Sequence, residues 1–283
     1  MKTALLIAAA LLAATPALAA EPQPVTQVQP QPAPGDWRGV DAANTMVIDT
    51  NKGRIFVELY PDVAPASVAQ IEALTRRGVF DGLTFFRVID DFMDQTGDPK
   101  NTGEGSSDMP NLKPEFEFKF TPGPNYPLSS HAPAGGDAVF DGVMPVLSQP
   151  LAMAALTVDG KVTGQVLYCP GVVGMARAED PGSGNSQFFL MRGLKLELDG
   201  RYTAIGRVVA GQDVVNNIKT GEPPTPPLDR MVKVQMLSDM AKKPSVSVID
   251  IHSAYFADLV ARAKVDKGEA YTPCDVDIPS KVQ

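Results

Sequence analysis

The chain of 283 residues carries 33 acidic against 25 basic side chains, a formal net charge of −8, which argues against the basic footprint of a nucleic-acid binder. Its two histidines, His131 and His252, have no metal-ligand spacing to each other or to the two cysteines, so neither a zinc site nor a Ser-His-Asp arrangement is expected. The length suits one large domain with additions, and no internal repeat is evident.

Residues 1–20 read as a secretory signal peptide. Lys2 supplies the positive start, Ala4 to Ala14 the apolar run, and Ala17-Leu18-Ala19 a small-residue cleavage site. The run is shorter than the roughly 20 residues a membrane-spanning helix needs. An exported protein without a membrane anchor is expected, periplasmic in a Gram-negative cell. Residues 21–40 form an expected linker, rich in Pro and Gln from Glu21 to Asp36 and lacking the apolar residues to pack.

Met46 to Asp49 and Arg54 to Tyr60 predict two strands joined by an Asn51-Lys52-Gly53 turn. Ile55, Val57 and Leu59 alternate with Arg54, Phe56 and Glu58, which predicts one face on the core and one nearer solvent. A helix should start at Pro65, bury Val68, Ile71 and Leu74, and stop at Gly78. Asp81-Gly82 turns the chain into FFRVIDDFMDQTGD, Phe85 to Asp98. Here Arg87 sits among large apolar residues, which is costly unless its guanidinium meets acceptors or a ligand. Either it pairs structurally with Asp90 or Asp91, or it belongs to a site with Phe92, Met93 and Gln95. The glycine-bearing loop after Asp98 lacks the Lys-Ser/Thr of a phosphate cradle.

Residues 120–168 are rich in Pro, Gly and Ala and show no clear period. A surface insertion is expected, with a short helix over Leu151 to Leu156 and a hairpin over Val158 to Leu167 around Asp159-Gly160. Strands follow at Gly171 to Ala178, Ser186 to Leu190, Tyr202 to Val209 and Met231 to Leu237. Val214, Val215 and Ile218 mark a second short helix stopped by Gly221. In the tail, Val246 to Ile251 reads as a strand, and Ala254 to Ala263 as a helix with Phe256, Leu259, Val260 and Ala263 as its apolar face, packed on the barrel. Two cysteines in an exported chain predict one disulfide, Cys169 to Cys274, two free thiols being the alternative. Two helices among many antiparallel strands predict a mainly β fold, a closed or nearly closed barrel with helices at its ends.

The blocks GRIFVELYPDVAPASVAQIEAL, FFRVIDDFMDQTGD, GMARA, GNSQFFL and LDGRYTAIGRV occur in the order seen in cyclophilins. Over about Thr45 to Leu237, interrupted by the insertion, the chain resembles a cyclophilin-type peptidyl-prolyl cis/trans isomerase, and more closely an exported bacterial one. The resemblance implies an isomerase domain over 41–240, an extension over 241–283, and a closed eight-stranded antiparallel barrel capped by two helices. The proline groove would lie on the outside of the barrel. It implies Arg87 as the catalytic arginine, with Gln95 beside it near the substrate carbonyl. Phe92, Met93, Phe189 and Leu198 would form the proline pocket, although taken alone they read as core residues. Ala176, Arg177 and Gln187 would line the path of the residues before proline, although Gln187 alone could brace a loop. Tyr202 falls where many members have His. Glu197 replaces a tryptophan of the cyclosporin-sensitive members, so weak cyclosporin binding is expected. Arg177 stands where Asn is common and would favour acidic residues before proline. The expected substrates are proline-containing segments of exported proteins, turned over by a monomer without cofactor or metal. The alternative is a chaperone module that holds such segments with incidental turnover.

Overall fold

Trp37–Gly39 is the first strand (β1), followed by β2 (Thr45–Thr50) and β3 (Gly53–Leu59), which form the hairpin expected around Asn51-Lys52-Gly53. The computed structural model describes residues 30–123, 128–131 and 135–283, so the signal-peptide reading and most of the linker lie outside the described residues. Helix α1 (Pro65–Arg76) buries Val68, Ile71 and Leu74 as its spacing predicts. Ala64 at its start offers no capping side chain. Instead the Glu115 carboxylate, far along the chain, accepts hydrogen bonds from the Ala66 and Ser67 N–H groups at 2.9 Å each. That satisfies two orphan donors and sets a negative charge at the positive helix end.

Strands β4 (Arg87–Ile89) and β5 (Met93–Thr96) are followed by β6 (Phe118–Phe120), β7 (Leu128–His131), β8 (Asp137–Asp141), β9 (Met144–Ser148) and β10 (Val162–Val166). The chain then makes β11 (Val172–Met175), β12 (Phe188–Met191), β13 (Ala204–Ala210), the short helix α2 (Gln212–Asn216) and β14 (Met231–Met236). It ends with β15 (Val246–Ile249), α3 (Ala254–Lys267) and β16 (Ser280–Val282).

Eight strands form one antiparallel sheet in the order β14-β2-β3-β13-β11-β12-β5-β4. It curls around a core holding α1's apolar stripe with Ile55, Val57, Phe80, Phe188 and Ile205. The expected closed barrel is not reached, because edge strands β14 and β4 form no ladder with each other. Irregular backbone bonds span the gap: Gly82 and Phe85 donate to Met231 and Asp229, and Met231 donates to Leu83. Gly221 exchanges two bonds with Val88. Pro223, Pro224, Pro226 and Pro227, which have no N–H to donate, occupy the stretch where a further strand would have to pair.

The insertion is a sheet of its own, in the order β6-β10-β9-β8-β7. Leu151–Leu156 is helical as expected, a 3₁₀ helix. The expected 158–167 hairpin is not formed, since β10 pairs with β6 and β9 instead. Nor is the segment merely superficial. Val139, Met144, Val146 and Val166 share one buried cluster with Met93 and Phe189 of the main sheet and with Leu198 of the 3₁₀ helix Leu196–Leu198.

The tail covers what the β3 alternation assigned to solvent. Strand β15 pairs with β1, in the stretch read as linker, and with β16. Its Val246 and Val248 pack with Phe56, Val47 and Val209 on the outer face of the curled sheet. Phe56 and Glu58 are therefore buried, Glu58 through two 2.8 Å bonds from Arg38. Helix α3 buries Phe256 and Val260, not on the curled sheet as expected but against Ile249, Ile251 and Phe140 of the insertion. Cys169 and Cys274 are disulfide-bonded, with Cα atoms 5.1 Å apart.

The rings of Phe140 and Phe256 meet edge to face at 5.1 Å in the α3 interface. Phe256→Ala should lower the unfolding free energy by about 3–5 kcal/mol, the usual cost of a large buried aromatic. Urea titration reads this directly, and a loss below about 1 kcal/mol would show that the helix does not depend on that contact.

Candidate active site

The β4–β5 register sets Arg87 directly opposite Gln95, with Val88 against Asp94 and Ile89 against Met93. Opposed residues project from the same face of a sheet, so Arg87 and Gln95 meet above it while Asp94 points the other way. Arg87 Nη1 donates to Gln95 Oε1 at 3.4 Å. Gln95 Nε2 donates to Gln187 Oε1 at 2.9 Å, and Gln187 Nε2 donates to the carbonyls of Gly103 and Gly105 at 3.0 and 2.9 Å. This relay fixes both amide orientations through carbonyls that can only accept.

The loop that supplies those carbonyls is knotted around Asp98. Its carboxylate accepts from the N–H groups of Lys100, Thr102 and Gly103 at 2.7, 2.8 and 2.6 Å. Burial works against the charge, but the backbone donors prevail and hold Asp98 below the usual carboxylate range. Asp98 was absent from the sequence-derived site; its Asx-turn chemistry was the available signal.

Beside Arg87 lies a cavity of ≈ 100 Å³ lined by Arg87, Phe92, Met93, Gln95, Ala176, Arg177, Phe189, Leu198 and Tyr202. The structure thus gathers nine of the ten candidate residues around one hollow. Gln187, the tenth, lines an adjoining cavity of ≈ 270 Å³ that shares Gln95, Ala176 and Arg177 with the first. Met93, Phe189 and Leu198 form the buried floor, and the Arg87 guanidinium stands 6.0 Å from the Phe92 ring centroid. Phe189 is held between Tyr168, stacked at 5.9 Å, and Tyr202, edge-on at 6.0 Å. Gly174, opposite Phe189 in the ladder, leaves room for that ring, since a Cβ there would sit 2.5 Å from Phe189 Cζ.

The structure gives both arginines partners that the sequence did not name. Arg87 pairs with neither Asp90 nor Asp91; its Nε donates to Glu222 Oε1 at 2.6 Å. Asp90 faces Arg192 instead, at 3.4 Å. Arg177 stacks on Tyr202 at 4.4 Å, and its donors go to the carbonyls of Ala178, Glu179 and Arg201. It forms a braced wall of the groove and keeps its positive charge there. Glu197 is exposed on the segment leading to Leu198.

Below Gln95, Asp94 is 0 % exposed and 3.4 Å from Arg192. Burial pushes its carboxyl up to about 8, against the pull of the guanidinium. The folded protein therefore keeps a proton here that the unfolded chain has lost above about pH 4. Between about pH 4 and 8 the native state binds more protons than the unfolded state, so stability falls as pH rises through that window and levels off above it. Asp94→Asn should remove this slope, which approaches about 1.4 kcal/mol per pH unit for one group. Denaturant midpoints of both proteins at pH 5 and 8 would decide it, parallel changes refuting the assignment.

Residues 45–238 match the family model described as cyclophilin type peptidyl-prolyl cis-trans isomerase/CLD. A "probable peptidyl-prolyl cis-trans isomerase" of Brucella suis is 33 % identical over 192 residues, covering 64 % of this chain and 74 % of that protein. A "peptidyl-prolyl cis-trans isomerase-like 1" of Rhizopus delemar is 31 % identical over 192 residues, covering 68 % of this chain and 88 % of the relative. The crystal structure of cyclophilin AquaCyp293 from Hirschia baltica superposes with a TM-score of 0.79 at 34 % identity, covering 88 % of this chain and 94 % of that one.

Proposed function

The chain belongs to the cyclophilin-type peptidyl-prolyl cis-trans isomerase family, and on that premise we propose that the cavity beside Arg87 holds the proline ring while Arg87 promotes rotation of the preceding peptide bond. The single observation that carries this reading is the juxtaposition of the Arg87 guanidinium, braced by Gln95, with an apolar floor of Met93, Phe189 and Leu198.

Rotation is slow because the nitrogen lone pair is shared with the carbonyl, a barrier of about 18–20 kcal/mol. In the twisted geometry that sharing is lost and the prolyl nitrogen becomes a hydrogen-bond acceptor. A guanidinium N–H aimed at it interacts with the transition state and hardly at all with the planar ground states. Among the described residues Nε is bonded to Glu222 and Nη1 to Gln95, which leaves Nη2 without a protein partner. The apolar floor immobilises the ring, so the acyl side turns. Gln95, itself held by Gln187, stands beside the arc of the moving carbonyl. No covalent step or proton transfer is required.

The substrates are proline-containing segments of unfolded or folding chains in an oxidising compartment, the periplasm of a Gram-negative cell. The disulfide supports that location, and so does the signal-peptide pattern of residues 1–20. The protein acts as a monomer. Holding without turnover is the poorer reading, since it gives no role to an arginine fixed at two of its nitrogens beside the pocket.

Exchange of an Ala-Pro peptide between cis and trans, followed by NMR, should be fast with the mature protein. Arg87→Ala should lose about 10²–10³ in rate, the usual effect of removing one transition-state donor. Arg87→Lys should recover little, because an ammonium cannot reproduce the planar fork. Equal rates in all three proteins would refute the role of Arg87. Cyclosporin should bind weakly, since Glu197 offers neither an aromatic wall nor an indole N–H; a submicromolar affinity by calorimetry would contradict this.

A further inference from the structure

Glu222 lies 135 positions from Arg87 in sequence, in a proline-rich loop that no motif singles out, yet its carboxylate accepts the Arg87 Nε–H at 2.6 Å. The pair is solvent-exposed, at 40 % and 51 % of the two side chains, so it contributes little to folding stability. Its interest is geometric. The loop is tied to the catalytic strand next door, where Gly221 and Val88 exchange backbone bonds of 2.9 and 2.7 Å. At the far side Lys219 N–H donates to Asp229 at 2.8 Å and Lys219 Nζ donates to the Thr225 carbonyl at 2.7 Å. Gly221 itself has φ +151°, and a Cβ there would fall 2.4 Å from Pro224 Cα. The carboxylate is therefore delivered to Nε from an anchored backbone and not from a loose loop.

We propose that Glu222 is a positioning residue of the isomerase, holding the Arg87 fork by Nε so that Nη2 is the donor presented to the prolyl nitrogen. The inference rests on the reading of Arg87 given above. With Gln95, at 3.4 Å, as its only other side-chain hydrogen-bond partner among the described residues, an arginine released from Glu222 would sample several rotamers. Each departure from the productive one lowers the fraction of bound substrate that can turn over. The effect falls on turnover more than on binding, because Glu222 is not one of the residues lining the hollow that holds the ring. The carboxylate also offsets part of the guanidinium charge. Since no full charge develops in a twisted amide, placement outweighs that offset.

The experiment uses the mature protein with Glu222→Ala and Glu222→Gln, an Ala-Pro tetrapeptide at a series of concentrations, and the Arg87 Nε–H resonance as a local probe. Glu222→Ala should reduce saturating turnover three- to tenfold with the apparent affinity within about twofold and the melting temperature unchanged. The Nε–H signal should shift and broaden. Glu222→Gln, whose carbonyl can still accept from Nε, should stay within about twofold of the wild type and keep the signal sharp. Unchanged turnover in Glu222→Ala, a loss confined to affinity, or equal losses in both variants would overturn the proposal. The underlying reading fails separately: an inactive wild type, or an active Arg87→Ala protein, strikes the role of Arg87, whereas an active wild type with inactive Arg87→Ala and indifferent Glu222→Ala strikes only the inference.

Discussion

The pairing of Arg87 with Gln95 across β4 and β5 is the constraint on which the site depends. A slip of one residue would bring Asp94 to the groove face and bury the glutamine, because side chains alternate along a strand. The register is held from both sides. β12 pairs with β5 so that Phe189 lies against Gln95 and Met191 against Met93. Gly221 closes on Val88 from the opposite edge. One ladder thus supplies a cation, an amide and an aromatic wall, all three from paired strands.

The hollow is firm because something stands behind it. Met93, Phe189 and Leu198 face the cavity with part of their surface and share the rest with Val139, Met144, Val146 and Val166 of the inserted sheet. The tail does the same for the other flank, covering Phe56 and Val209 with Val246 and Val248. Both additions therefore act as buttresses to the curled sheet, and α3 joins them to each other through the contact of Phe256 with Phe140.

What could be read in the sequence was whatever lies close together or repeats a known order. FFRVIDDFMDQTGD holds Arg87, Phe92, Met93 and Gln95 within one short run, and GNSQFFL and LDGRYTAIGRV add Gln187, Phe189, Leu198 and Tyr202. The helix at Pro65 and the Asn51-Lys52-Gly53 turn follow from local chemistry alone. The inserted sheet escaped because strands such as Asp137–Asp141 are buried on both faces and so show no alternation. Phe56 and Glu58 looked half-exposed because their cover comes from residues far along the chain. Glu222 had no signal at all, since a carboxylate in a proline-rich loop reads as solvated until the fold carries it to Arg87.

The bond between Cys169 and Cys274 spans 105 positions, and within that span lie β11, β12, β13, α2, β14, β15, α3 and the loop bearing Glu222. Backbone cleavage at any one point between the two cysteines opens a ring and releases no fragment. A protease that nicks the exposed Glu222 loop would leave both halves covalently joined, with the cut ends still tethered near the groove. Against a single backbone cut, the closed circuit confers a tolerance to damage that the hydrophobic core alone cannot provide.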